Sequence, residues 1–188
     1  QQEAARSYEL ARDFANAARL WLRQGQPAQA ARCQERIGKH SEAARLWTVA
    51  GEHLPAAEAL LQDGDLLEAA RSFQRASEWK RAGEAYLQLL EAPPPREGEP
   101  ARPVRLDEQE TRRLAARMFE SAGEAQQAAE AYLAAGDSSE AVRILLSAGH
   151  TVDAARIHRG LGHLDEAIAL FELAGERREA LQLKVQRA

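Results

Sequence analysis

The sequence is poor in several residue types that would point to particular classes of protein. Its 188 residues include one cysteine, one methionine and 5% aromatic residues. The single Cys33 excludes an internal disulfide framework and favours a reducing compartment, so we expect a cytoplasmic protein. No apolar run approaches the roughly 20 residues that a membrane-spanning helix needs, and no signal peptide opens the chain. The sequence therefore predicts no membrane insertion.

The chain also has no net positive charge. The formal net charge is −4 at pH 7, and arginines are interleaved with acidic residues. Nucleic-acid binding usually needs a clustered basic face, and the short pairs Arg112-Arg113 and Arg177-Arg178 are more typical of a solvated helix surface. We therefore expect no nucleic-acid partner.

Signatures of catalysis are missing as well. The sequence contains neither a G-x-x-x-x-G-K-[ST] phosphate loop nor a G-x-S-x-G nucleophile turn. Cys33 has no histidine base in its own unit, which a catalytic thiol normally requires. Histidines thirteen apart, such as His40 and His53, are expected at opposite edges and cannot share a metal. The sequence thus predicts a protein that is not an enzyme and uses no cofactor or metal.

What the sequence does contain is a short, constant repeat. Glycine returns every thirteen residues, at Gly25, Gly38, Gly51 and Gly64, and again at Gly123, Gly136, Gly149, Gly162 and Gly175. We call this position the glycine slot, and Arg12, Ser77 and Glu110 occupy it elsewhere. A fixed short period is typical of stacked repeat architectures.

Each repeat has the pattern of one short helix. Five residues past each slot stands an alanine: Ala17, Ala30, Ala43, Ala56, Ala69, Ala82, Ala115, Ala128, Ala141, Ala154, Ala167 and Ala180. Apolar residues recur three, four and seven positions apart around these alanines, which is helical spacing. One continuous helix is excluded because thirteen residues leave a remainder of about 220°, so no apolar stripe would form. The chain is therefore expected to turn at each slot.

A second period lies over the first, at the position nine residues past each slot, which we call the knob position. In alternate units, called A helices, it is large and apolar: Trp21, Trp47, Phe73, Phe119, Leu145 and Phe171. The intervening B helices carry Tyr8, Gln34, Leu60, Tyr86, Tyr132, His158 and Lys184. We therefore predict an all-α fold, an α-α superhelix (right-handed α-solenoid) of about thirteen short helices, 13 residues per helix and 26 per hairpin.

The repeat is interrupted once. Residues 91–106 are rich in proline, which cannot continue a helix, and they are predicted to form a loop inserted between hairpins of a single 1–188 domain. A polyproline ligand remains an alternative to a simple spacer. Because the chain lacks an initiating methionine and Gln1 already lies in the repeat register, we expect it to be part of a longer protein.

The repeat resembles a known family in part. Gly162-x4-Ala167-x3-Phe171 is similar to the second-helix signature of tetratricopeptide (TPR) repeats, and Gly38 and Gly123 open similar stretches. Tetratricopeptide units run 34 residues and end at a proline-marked turn, whereas these pairs take 26 and lack that proline. Short helices of this kind also resemble the α-solenoid arms of intraflagellar-transport and vesicle-coat subunits. The resemblance implies scaffolding.

The expected function is a non-catalytic protein–protein interaction scaffold with a protein or peptide partner. The irregular knob positions of the B helices are the candidate partner-binding residues: Tyr8, Gln34, Leu60, Tyr86, Tyr132 and His158. The competing interpretation places these side chains in a second layer of the core. A sensor or regulatory arm of a multidomain enzyme or NTPase is the alternative function, and end-to-end self-association through the terminal helices stays open.

Overall fold

The computed structural model describes residues 2–92 and 107–187, which form thirteen α-helices and no strand. The predicted all-α class is therefore confirmed. The helices are α1 (Gln2–Leu10), α2 (Phe14–Arg23), α3 (Pro27–Arg36), α4 (His40–Ala50), α5 (His53–Asp63), α6 (Leu66–Arg75), α7 (Trp79–Glu91), α8 (Glu108–Ser121), α9 (Ala125–Ala134), α10 (Ser138–Ser147), α11 (Thr151–Gly160), α12 (Leu164–Leu173) and α13 (Arg177–Arg187).

The helices fall into two compact units, Gln1–Pro94 with α1 to α7 and Pro95–Ala188 with α8 to α13. Within each unit every helix packs against the next one in sequence. Connections of two or three residues join these neighbours, which makes successive helices antiparallel. Each unit is therefore built from short helical hairpins of the TPR-like kind, as the resemblance implies.

The thirteen-residue register is visible in the helix starts. From α2 to α7, and again from α9 to α13, each helix begins thirteen residues after the one before it. All nine slot glycines adopt φ between +69° and +85°, as Gly51 does at +79°. Arg12 and Ser77 take the same left-handed conformation, with φ of +59° and +61°. The slot therefore marks a backbone conformation, which glycine adopts most easily but not exclusively.

The helix ends share one hydrogen-bond pattern. At the end of α4, the amide of Gly51 donates to the carbonyl of Thr48 at 3.1 Å, and Glu52 donates to the carbonyl of Trp47 at 2.9 Å. These are the two bonds of the Schellman motif, which satisfies carbonyls that the helix end leaves free. The bond donated by the residue after the slot always ends on the carbonyl of the knob residue, as it does at Trp21, Phe73 and the other turns.

The predicted core positions are buried. All twelve slot-plus-five alanines have at most 2% of their surface exposed, and every A-helix knob residue is buried. Trp21 packs with Ala17, Ala30 and Cys33 in one cluster, and Phe171 packs with its neighbours in the second unit. Small residues at this depth let neighbouring helices approach closely, while the knob fills the space between them.

One predicted turn is wrong. Glu110 was placed in a glycine slot, but it lies in the first turn of α8, which begins at Glu108. Asp107 caps this helix, because its side chain accepts hydrogen bonds from the amides of Gln109 at 3.2 Å and Glu110 at 3.3 Å. The cap fixes the start of α8 outside the thirteen-residue register.

Other expectations stay predictions. Most of the predicted 91–106 loop lies outside the described residues, and Glu91 is the last residue of α7. The single-domain organisation over 1–188 and the right-handed superhelix remain predictions. Among residues 2–92 and 107–187, no helix has the length and apolar character to cross a membrane.

The slot conformation predicts opposite effects for two glycines of the second unit. Gly149 has φ of +81°, Gly160 is helical, and a Cβ added at either residue would meet nothing within 4 Å. Gly149→Ala should lower the free energy of unfolding by about 1 kcal/mol because the strain is purely conformational. Gly160→Ala should leave it unchanged or raise it by up to about 1 kcal/mol. Urea denaturation measures both, and equal losses would contradict the assignment.

The alanine positions predict a second contrast, within α2. Ala17 is fully buried and Ala15 is exposed on the same helix. Ala17→Leu should destabilise the chain by about 1–3 kcal/mol through overpacking. Ala15→Leu should stay within about 0.5 kcal/mol of the parent chain. Thermal unfolding followed by circular dichroism distinguishes them, and tolerance of leucine at Ala17 would show that the helices are not closely packed there.

Candidate functional site

The six predicted partner-binding residues do not share one environment. Tyr8 is 40% exposed, whereas Tyr86 and Tyr132 are only 3% and 5% exposed. The remaining three, Gln34, Leu60 and His158, are half-buried. The competing second-layer interpretation therefore describes Tyr86 and Tyr132, whose rings are covered by neighbouring helices and do not form an open surface.

The surroundings of these two tyrosines agree with a packing role. Burial raises the pKa of both hydroxyls, more than the charges of their neighbours do. The Tyr132 hydroxyl donates a hydrogen bond to the Glu120 carboxylate at 3.2 Å. Its polar end is thus satisfied within the hairpin formed by α8 and α9. The burial of these two rings favours the second-layer interpretation, and contact of either residue with a partner stays a prediction.

The Tyr132–Glu120 bond belongs to a recurring pattern between adjacent helices. The residue that follows a knob position is a glutamate in four helices, and each accepts from the knob residue of the next helix. The pairs are Trp21 with Glu9 at 2.6 Å, Trp47 with Glu35 at 2.8 Å, Tyr132 with Glu120 at 3.2 Å and Lys184 with Glu172 at 2.5 Å. These bonds fix the offset of neighbouring helices along their axes.

The first unit contains a groove of about 440 Å³ formed by α1, α2 and α3, which we call the α1–α3 groove. Its walls come mainly from α1 and α3, both B helices. The lining residues are Gln2, Arg6, Glu9, Phe14, Trp21, Gln26, Gln29, Arg32, Cys33 and Arg36. Neither Tyr8 nor Gln34 is among them, so the groove uses other positions of the helices that were expected to bind a partner.

The floor of the groove is a buried polar contact. One oxygen of the Glu9 carboxylate accepts hydrogen bonds from the Trp21 indole at 2.6 Å and from the Cys33 thiol at 3.3 Å. Trp21 and Cys33 belong to the core cluster of α1 to α3. This contact therefore ties three successive helices together beneath the groove, and it engages the one carboxylate of the lining.

Three arginines, Arg6, Arg32 and Arg36, line the groove beside this contact. The guanidinium of Arg36 lies 5.4 Å from the centre of the Phe14 ring, and that of Arg32 lies 5.8 Å from the Trp47 ring. Such stacking orients a guanidinium while leaving its N–H groups free to donate. Within residues 2–92 and 107–187, neither these two nor Arg6 forms an ion pair. With Glu9, the groove carries a formal charge of +2.

Sequence reasoning missed these arginines, although a signal existed. Arg32 lies seven residues past Gly25, and Arg6 lies 26 residues before Arg32, at the equivalent position of the preceding B helix. The same position holds Arg19 and Arg45 in the A helices α2 and α4, which do not line the groove. Separating the A and B helices at this position would have shown the pair.

The other grooves differ in character. One of about 340 Å³ is lined by Glu35, His40, Glu58 and Arg81 among others, and Arg81 already pairs with Glu58 at 3.0 Å. Two cavities beside α13 contain Leu181, which is exposed, and one arginine lines each of them, Arg177 or Arg178. The α1–α3 groove differs from these cavities because it gathers three arginines, none of which has a carboxylate partner among the described residues.

The structure also shows the surroundings of two histidines and of Cys33. His158 and His163 meet across the turn after α11, with ring centres 5.7 Å apart, a pair that the sequence analysis did not foresee. No group of three or more metal-binding side chains occurs in the described part of the chain. Burial, followed by the hydrogen bond and the charge of Glu9, raises the pKa of Cys33 to about 12. A thiol in this state is a poor nucleophile.

Comparison with known proteins adds little beyond the fold. No protein-family model matches the sequence, and no curated protein matches it. A solved structure of TPR-like repeats from a Podosopora anserina kinesin light chain shares 21% identity, with 100% of this chain and 95% of that chain covered and a TM-score of 0.34. A likeness at this level carries no argument about function.

The Glu9–Cys33 contact predicts the titration of the thiol. Replacing Glu9 by glutamine removes a negative charge that opposes thiolate formation, so the pKa of Cys33 should fall below its parent value of about 12 while burial still holds it raised. Glu3→Gln, an exposed change on the same helix, should leave the pKa unchanged. The ultraviolet absorbance of the thiolate, followed against pH, measures the shift. An unchanged midpoint in Glu9→Gln would show that Glu9 does not contact the thiol.

Proposed function

We propose that this chain is a non-catalytic protein–protein interaction scaffold, a helical-repeat module that binds a protein or peptide. The observation that carries the proposal is the contrast between its interior and its grooves. The slot-plus-five alanines and the A-helix knobs repeat and are buried, whereas the α1–α3 groove adds residues such as Gln26 and Cys33, whose types do not recur at the same position of other hairpins. Repetition supports the fold, so the irregular positions are available for recognition.

The groove is suited to a polypeptide partner. It is open along its length, and its side chains combine guanidinium groups, amides and ring edges. Helices locked by the Glu9 contact have little freedom to lose on binding, which keeps the entropic cost of association low. Tyr8, Gln34, Leu60 and His158 remain candidate contacts outside the groove, each at least partly accessible.

The non-catalytic part of the proposal is supported by the chemistry of the one thiol. Cys33 has a raised pKa and donates to a carboxylate, which is the opposite of an activated nucleophile. A lone buried thiol also suits a reducing compartment, so we propose a cytoplasmic location. Self-association through the terminal helices stays a prediction.

Site-specific photocrosslinking tests the proposal. A photoreactive residue is placed at Gln29 in the α1–α3 groove, and the control position is Val49, an exposed residue of α4 outside the groove. We expect Gln29 to give a discrete protein adduct that the control position lacks, identified by mass spectrometry.

Two outcomes would argue against a binding scaffold. Adducts that are equally abundant at both positions would indicate nonspecific contact. A complete absence of protein adducts, at Gln29 and at further positions on the exposed faces of α9 and α11, would contradict the proposal. Adducts to a catalytic domain would favour the alternative of a regulatory arm.

A further inference from the structure

We propose that the α1–α3 groove binds a glutamate- or aspartate-rich segment of a partner protein. The proposal rests on the proposed function and names the partner chemistry. Its basis is charge complementarity. The groove gathers Arg6, Arg32 and Arg36 around a single carboxylate, although the chain as a whole carries a net charge of −4.

The carboxylate of the groove is already engaged. Glu9 accepts from the Trp21 indole and the Cys33 thiol, and no ion pair joins it to an arginine within the described residues. The three guanidinium groups therefore keep their donors for an incoming anion. Some arginines elsewhere are neutralised within the fold, as Arg113 is by Asp137 at 2.6 Å and Arg143 by Glu120 at 2.9 Å. Among the described residues, the groove is distinguished by bringing three unpaired arginines to one cavity.

The arginines are also held in place. Arg36 lies over the Phe14 ring and Arg32 over the Trp47 ring, and these cation–π contacts favour the observed positions of the two guanidinium groups before a ligand arrives. A fixed guanidinium fork accepts a carboxylate through two parallel hydrogen bonds. Arg6 and Arg32 come from the same position of consecutive B helices and face one cavity, which suits successive acidic side chains of an extended segment.

The rest of the lining fits a peptide backbone. Gln2, Gln26 and Gln29 each offer an amide that both donates and accepts. Backbone N–H and C=O groups of an extended segment need both functions, whereas a phosphate backbone needs only donors. A side-chain amide therefore favours a polypeptide over a simple polyanion.

Nucleic acid is disfavoured by the same residues. Single strands are bound by a positively charged track together with aromatic faces on which bases stack. Here the guanidinium of Arg36 lies over the Phe14 ring. Trp21 is buried, and its indole N–H donates to Glu9. Neither ring is available as a stacking platform.

Fluorescence anisotropy with the 188-residue chain tests the proposal. The probes are a labelled glutamate-rich peptide, the same peptide with glutamine at each glutamate, a phosphoserine version and a single-stranded RNA. We expect the glutamate peptide to bind, the glutamine peptide to bind at least about tenfold more weakly, and added sodium chloride to weaken the former. Tighter binding of the RNA, or preference for phosphoserine over glutamate, would overturn the assignment to a carboxylate-rich segment.

Matched arginine variants locate the site. Arg6→Gln, Arg32→Gln and Arg36→Gln should each weaken the glutamate peptide by about three- to tenfold. Arg19→Gln and Arg45→Gln remove the same charge at the equivalent position of A helices and should leave the affinity unchanged. Equal losses in both sets would show a general charge effect and no groove.

Hydrogen exchange of the unmodified chain gives a readout that does not depend on how the variants fold. Adding the glutamate peptide should slow exchange in α1 to α3 and leave α9 to α11 unchanged. Protection elsewhere, or none, would overturn the inference. If the glutamate peptide does not bind but photocrosslinking still gives a protein adduct, the proposed scaffold function is retained and only the acidic-segment assignment is lost.

Discussion

The left-handed residue at each turn within the two units is the constraint on which the rest of this structure depends. It reverses the chain within two or three residues. The next amide can then donate a hydrogen bond to the carbonyl of the knob residue, as that of Glu52 does to Trp47. Ten or eleven helical residues followed by this turn give the thirteen-residue period. The period in turn brings the alanine of every helix to the same depth, where neighbours pack closely. Without the turn, the apolar positions would spread around a single long helix.

The knob residue links backbone and side-chain order. Its carbonyl closes the turn, its side chain fills the core in the A helices, and in several helices its polar end bonds to a glutamate of the preceding helix. One residue therefore fixes the helix end, the packing and the axial offset together. A side-chain change at a knob is expected to affect the packing and the axial offset, whereas the backbone carbonyl that closes the turn is retained.

Much of the fold could be predicted because its determinants are local. A glycine that needs positive φ and an alanine that needs close contact leave their mark at fixed spacing, so helices, turns and core followed from the residues alone. The turn predicted at Glu110 was wrong because the period was counted one step back from Gly123, whereas the cap at Asp107 sets the start of α8. The burial of Tyr86 and Tyr132 could not be predicted because the period shows only which positions are equivalent in register, and burial depends on the side chains of the adjacent helices.

The candidate site could not be found by the same means, and the reason lies in the alternation of A and B helices. Arg6, Arg19, Arg32 and Arg45 occupy one position of the repeat, so the sequence shows them as a single series of evenly spaced charges. In the folded chain, alternate helices direct this position to different surroundings, and only Arg6 and Arg32 reach the α1–α3 groove, where Arg36 joins them from another position. Local charge therefore differs in sign from the net charge of the chain. In a helical repeat, recognition depends on the subset of repeated positions that the alternation brings to one groove, and that subset is defined by packing.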